Sequence, residues 1–132
     1  MVDEVVWPIE PIPDADNVFM RAHRMYFREG ELQPGVFRAQ GDGMSVDWDK
    51  YSTAEETKKR AGKNPHDNAV VRMCAGRIRE IAGLRVEHQP DRVGQNRAHS
   101  NVLGLPAHST PDLVEVRLKL RRISTIVHPL GS

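Results

Sequence analysis

One cysteine, Cys74, is all the thiol chemistry this chain holds. A lone cysteine excludes an intrachain disulfide and a zinc site of four cysteines within one chain, and it favours a reducing compartment. No apolar run approaches the roughly 20 residues that span a bilayer. Asp3 and Glu4 stand where an export signal carries positive charge. The expected place is therefore the cytoplasm, with no membrane partner. Aromatics make up 5% of the residues and are not interleaved with the basic ones, which argues against stacking platforms for single-stranded nucleic acid. Charge of one sign is lacking too. Lys and Arg number 19 against 18 acidic residues, a net +1, less than a domain built to hold a nucleic acid backbone usually carries.

Familiar site motifs are also missing. The glycine-rich "GDGMS" (41–45) has neither the spacing of a phosphate loop nor that of a dinucleotide fingerprint, and reads as a turn between strands. There is no GxSxG elbow. The six histidines, His23, His66, His88, His99, His108 and His128, show no paired helical spacing, so no metal is expected. Cys74, in the apolar stretch "AVVRMC", reads as an inert core residue.

What the 132 residues do contain fits one domain with one core, at 39% hydrophobic and 28% charged. Residues 1–17 hold three prolines in "VVWPIEPIPDAD" and read as an extended arm, packed on the domain through Val5, Val6, Trp7 and Ile9. Residues 18–132 read as a single small α+β domain with a mixed or antiparallel sheet and two to three helices. Val18, Phe19, Ala22, Met25 and Tyr26 make a helical stripe, but "VFMRAH" also suits a strand. "VFR" (36–38), "MSVDW", "AVVRMC", "LRVEH" and "AHSNVLGL" read as strands, and "AGRIREIAG" as a short helix or turn. In "STAEETKKRAG", Ser52 with Glu55 forms a capping box, predicting a surface helix over 53–61 with almost no apolar face. "LVEVRLKLRRISTIV" alternates like a strand and also carries a helical stripe. Its Thr110-Pro111 start and its length favour a helix.

Two short stretches pair arginine with histidine. In "RAHR" (21–24), Arg21 and His23 share a face if the segment is a strand, and in "NRAHS" (96–100) Arg97 and His99 do the same. Guanidinium groups beside an imidazole make an anion pocket with a proton donor or acceptor, suited to a phosphorylated or nucleotide substrate. His23 and His99 are the candidate acid and base, and Arg21 and Arg97 the candidate phosphate binders. Tyr51 reads as a loop anchor next to helix-capping hydroxyls.

The order "VFMRAHRMYFREGELQPGVFR", "GDGMSVDWDKYSTAEE" and "NRAHSNVLG" resembles a group of small bacterial proteins of no assigned activity, over about residues 18–104. That resemblance implies that "VFMRAH" is a strand. More distantly, the chain is similar to the ADP-ribosyltransferase and tRNA phosphotransferase type of domain. This similarity implies that Arg21 and His23 meet a dinucleotide and that Ser45 or Tyr51 supplies the second site element. His99 stands where many members carry a glutamate or another polar residue.

Three functions compete. The first is an enzyme-like nucleotide or phosphate pocket at the Arg-His clusters, with a nucleotide or RNA ligand. The second is a protein-binding module of a small toxin-antitoxin-like system, using residues 112–127. The third is a nucleic-acid binder using Lys58, Lys59, Arg60 and the basic tail.

Overall fold

The computed structural model describes residues 6–131. Its strands are β1 (Asn17–His23), β2 (Phe27–Arg28), β3 (Glu31–Leu32), β4 (Met44–Trp48), β5 (Asn68–Cys74), β6 (Arg85–His88), β7 (His99–Leu103) and β8 (Thr125–His128). Its helices are α1 (Ala54–Lys59), α2 (Ala75–Glu80) and α3 (Pro111–Ile123). Six strands form one sheet in the order β6-β7-β4-β1-β5-β8, and β2 and β3 pair separately. Every pairing is antiparallel. The fold is thus α+β with an antiparallel sheet and three helices. No helix among the described residues is long and apolar enough to cross a membrane.

Strand alternation divides the sheet into two faces. Val18, Met20 and Ala22 of β1, Val46 and Trp48 of β4, Val71 and Met73 of β5, and Val102 of β7 are buried. With Ile78 of α2, Val116 and Leu120 of α3, Phe37 and Ile12 they make the core. The intervening residues Phe19, Arg21, His23, Ser45, Asp47 and His99 lie on the opposite face. Part of that face is roofed by α1, which meets β1, β5 and β8.

Between helix and strand for residues 18–26, the strand prevails. β1 is paired along its length with β5, from Asn17 opposite Cys74 to His23 opposite Asn68. Asp16, just before β1, accepts from Trp48 Nε1 at 2.9 Å. In "LVEVRLKLRRISTIV" both patterns are used in succession. Thr110 caps α3 by accepting from the Leu113 amide, Pro111 starts it, and β8 follows after Ser124. Leu113, Val116 and Leu120 are buried, while Val114 and Leu118 remain exposed.

Several expectations are corrected. "VFR" is not a strand: Pro34 opens a 3₁₀ turn through Val36, and Phe37 closes it by donating to the Pro34 carbonyl. The capping box of α1 sits one residue later than Ser52–Glu55. Thr53 accepts from the Glu56 amide, and the Glu56 carboxylate accepts from the Thr53 amide. Nor is α1 a purely solvated helix, since Thr57 and Lys58 are buried against the sheet. Cys74 is outside the core, half-buried at the end of β5, with its thiol donating to the Asp14 carbonyl at 3.1 Å.

The arm is held differently from expectation. Val6 and Ile9 are exposed, and Val5 lies outside the described residues. Ile12 is the apolar anchor at 5% exposure. Polar contacts do the remaining work: the Glu10 amide donates to His88 Nδ1, Arg79 donates to the Ile12 carbonyl, and the Gly76 amide donates to the Asp14 carbonyl.

Candidate functional site

The register of β1, β4 and β7 brings distant polar residues side by side. Phe19 lies opposite Asp47, and Asp47 lies opposite His99. With Arg21 and His23 further along β1 and Ser45 along β4, this face forms the floor of an open cavity of about 630 Å³. Its walls include Tyr26, Arg38 and Gln40, Thr57 of α1 and Arg60 just after it, Asn68 of β5, and Asp91, Gly94 and Asn96 from the loop before β7. That volume suits a nucleotide-sized ligand.

Asp47 organises the cavity floor. It is 4% exposed. Its Oδ2 accepts from Thr57 Oγ1 at 2.8 Å and Arg60 Nη1 at 2.7 Å, and its Oδ1 accepts from Asn96 Nδ2 at 2.8 Å. One carboxylate therefore joins β4, α1 and the 91–96 loop. The buried charge is tolerated because both carboxylate oxygens accept hydrogen bonds, one of them from a guanidinium. The loop is closed by reciprocal backbone bonds between Asp91 and Asn96 and by the Gly94 amide donating to Asp91 Oδ1.

Three arginines face two aspartates in the lining, and Arg60 is taken up by Asp47. Arg21 donates to the Thr57 carbonyl at 3.1 Å. Burial pushes its guanidinium below the ordinary value, with Asp47 opposing the shift and Arg60 adding to it. Arg38 donates to Tyr26 Oη at 2.8 Å.

The two histidines are held with their protons on opposite nitrogens. His99 Nδ1 lies 2.8 Å from the Gln89 carbonyl, which can only accept, so in the neutral ring Nδ1 carries the hydrogen. Its Nε2 then offers a lone pair to Ser45 Oγ, 3.4 Å away. His23 Nδ1 accepts from the Met25 amide at 3.0 Å. Its neutral ring therefore carries hydrogen on Nε2.

Of the six residues expected at a site, Arg21, His23, Ser45 and His99 line this cavity, and Arg97 and Tyr51 do not. The chain turns at Asn96, whose carbonyl accepts from the His99 amide, so strand alternation starts only at His99. Arg97 then swings to the other side of the sheet and lies 4.1 Å from the Tyr51 ring centroid. Tyr51 hydroxyl donates to the Glu10 carboxylate, which also accepts from Lys50 at 2.6 Å. His88 completes this cluster. It is buried, stacked near Tyr51, accepts from the Glu10 amide and donates to the Arg97 carbonyl at 2.7 Å. These contacts tie the arm to the sheet.

The sequence reading missed Asp47, Arg38, Thr57 and Asn96, and it placed Arg60 in a basic run for nucleic acid rather than in this cavity. Asp47 carried a usable signal, a charged residue inside the strand "MSVDW". Among the described residues no group of three or more His, Cys, Asp or Glu is placed to hold a metal ion. The basic run 58–60 is not a free phosphate-binding stripe. Lys58 donates to the Pro129 carbonyl, Lys59 pairs with Glu55 and Arg60 with Asp47. No family model, no curated protein and no solved structure matches the chain.

Proposed function

We propose that the protein is an enzyme-like domain that binds a phosphate-bearing ligand of nucleotide size in the β1–β4–β7 cavity. The single observation that supports this reading is convergence: Arg21, His23, Ser45 and His99, far apart in sequence, line one cavity together with Arg38 and Arg60. Arg21 and Arg38 supply charge-assisted donors for phosphate oxygens. His23 Nε2–H adds a neutral donor, and His99 Nε2 serves as the base.

Thermal denaturation with inorganic phosphate, AMP, NAD and a short RNA tests the reading. A ligand at a hundred times its Kd adds about 2.7 kcal/mol, which raises the melting temperature of a domain this size by roughly 10 °C. Unchanged melting with all four would overturn it. The alternative, a protein-binding module using residues 112–127, draws support from exposed Val114 and Leu118, one turn apart on α3, and from exposed Ile126 on β8. Three exposed apolar side chains, on two elements, are ordinary on a monomer surface, and the cavity reading is the better supported.

A further inference from the structure

The cavity contains three side-chain hydroxyls, those of Tyr26, Ser45 and Thr57. Thr57 donates its hydrogen to Asp47, and Tyr26 receives Arg38. Ser45 alone of the three faces a ring nitrogen, His99 Nε2. The bases differ too. Asp47 already accepts from three donors, and the His23 Nδ1 lone pair is taken by the Met25 amide. His99 is oriented by the Gln89 carbonyl behind it. A hydroxyl, a base within reach of it and a third group fixing that base form the constellation of an activated nucleophile, and such contacts are commonly long before substrate arrives.

We propose that Ser45 is the nucleophile of a phosphomonoester hydrolase, with His99 as its base. This rests on the phosphate-binding reading above. The choice of phosphoryl rather than acyl substrate follows from the surroundings, where guanidinium groups and the His23 Nε2–H point to an electrophile that is already anionic. Ser45 Oγ attacks phosphorus, and the Oγ–P bond forms as the P–O ester bond breaks. The Ser45 proton passes to His99 Nε2 and on to the departing alkoxide, which leaves as an alcohol. A water molecule then gives a proton to Nε2 while its oxygen bonds to phosphorus. The P–Oγ bond breaks, the proton returns to Ser45, and orthophosphate leaves. One phosphomonoester and one water become one alcohol and one orthophosphate.

The test incubates wild type, Ser45→Ala and His99→Ala with 4-nitrophenyl phosphate, AMP and 4-nitrophenyl acetate. Orthophosphate or nitrophenol release and the mass of the acid-quenched protein are measured. Ser45 is exposed, so its alanine variant keeps the fold, and a matching melting temperature verifies this. The expected result is phosphate ester turnover by the wild type, a phosphoryl group on Ser45 after quenching, and loss on the order of 10³-fold or more in kcat for either variant. Inorganic phosphate still binds Ser45→Ala. Turnover retained by Ser45→Ala but lost in His99→Ala assigns the base to water directly and overturns Ser45 as nucleophile, leaving the binding reading intact. Phosphate binding without any phosphate ester turnover overturns the inference alone, as does turnover confined to the acetate ester. Failure of both phosphate and AMP to bind removes the inference, and unchanged melting with NAD and RNA as well removes the reading beneath it.

Discussion

Asp47 and Asn96, 49 positions apart, meet through a 2.8 Å hydrogen bond from the Asn96 amide to the Asp47 carboxylate. That bond fastens the 91–96 loop to the sheet beside His99, and the same carboxylate fastens α1 through Thr57 and Arg60. Asp47→Ala leaves a guanidinium and two neutral donors without their acceptor. The expected cost is about 3 kcal/mol in urea denaturation, whereas Asn96→Ala costs about 1 kcal/mol. Equal costs for the two would show that Asp47 does not join the three elements.

Arg38 and Arg97 separate the two sides of the sheet. Arg38 lines the cavity, and Arg97 lies over Tyr51 on the other side. Arg38→Ala is expected to weaken inorganic phosphate binding roughly tenfold in calorimetric titration, a loss of about 1.4 kcal/mol. Arg97→Ala leaves phosphate affinity unchanged and lowers stability. The reverse pattern would relocate the anion site to the Tyr51 cluster.

Glu10 gives the arm a pH signature. Hydrogen bonds from Lys50 and then Tyr51 hold its carboxyl below the ordinary 4.5, and the Glu10 and Tyr51 contacts raise Lys50 above the ordinary 10.5. A carboxylate lowered on folding stabilises fully above its unfolded value and loses that contribution as pH falls through the lowered folded value. A raised lysine stabilises fully below its unfolded value and loses its contribution as pH rises through the raised folded one. The melting-temperature gap between wild type and Glu10→Gln is therefore level across neutral pH and shrinks on both flanks, below 4.5 and above 10.5. A gap constant down to strong acid would contradict the clamp.

Gly104 tests the junction of β6 and β7. It sits at φ +93°, and a Cβ there would fall 2.0 Å from the Gly83 carbonyl oxygen. Gly62, at φ +80°, has nothing within 4 Å of its Cβ position. Gly62→Ala isolates the left-handed backbone cost, about 1–2 kcal/mol. Gly104→Ala is expected to lose several kcal/mol, of order 4, because the backbone must also move. Similar melting temperatures for the two variants would mean that the Gly83 contact is easily relieved.

Some of this architecture was legible residue by residue. Thr110 with Pro111 announced α3, and "MSVDW", "AVVRMC" and "LRVEH" announced β4, β5 and β6, since cap chemistry and short apolar runs act locally. Residues 18–26 were not settled by periodicity, because a stripe that suits a helix also suits a strand with partners on both sides, and β4 and β5 are those partners. At the site, the Arg21–His23 side of the cavity followed from strand parity. The same parity failed for Arg97, because the turn at Asn96 lies between it and β7.

The chain's own residues determined the α+β class and which polar groups the chain carries, because composition, caps and short-range patterns need no distant partner. Only the folded chain decided which of those groups meet. The antiparallel register that sets Asp47 against His99, and the turn that carries Arg97 away, depend on pairings between segments tens of residues apart, and no local preference encodes those.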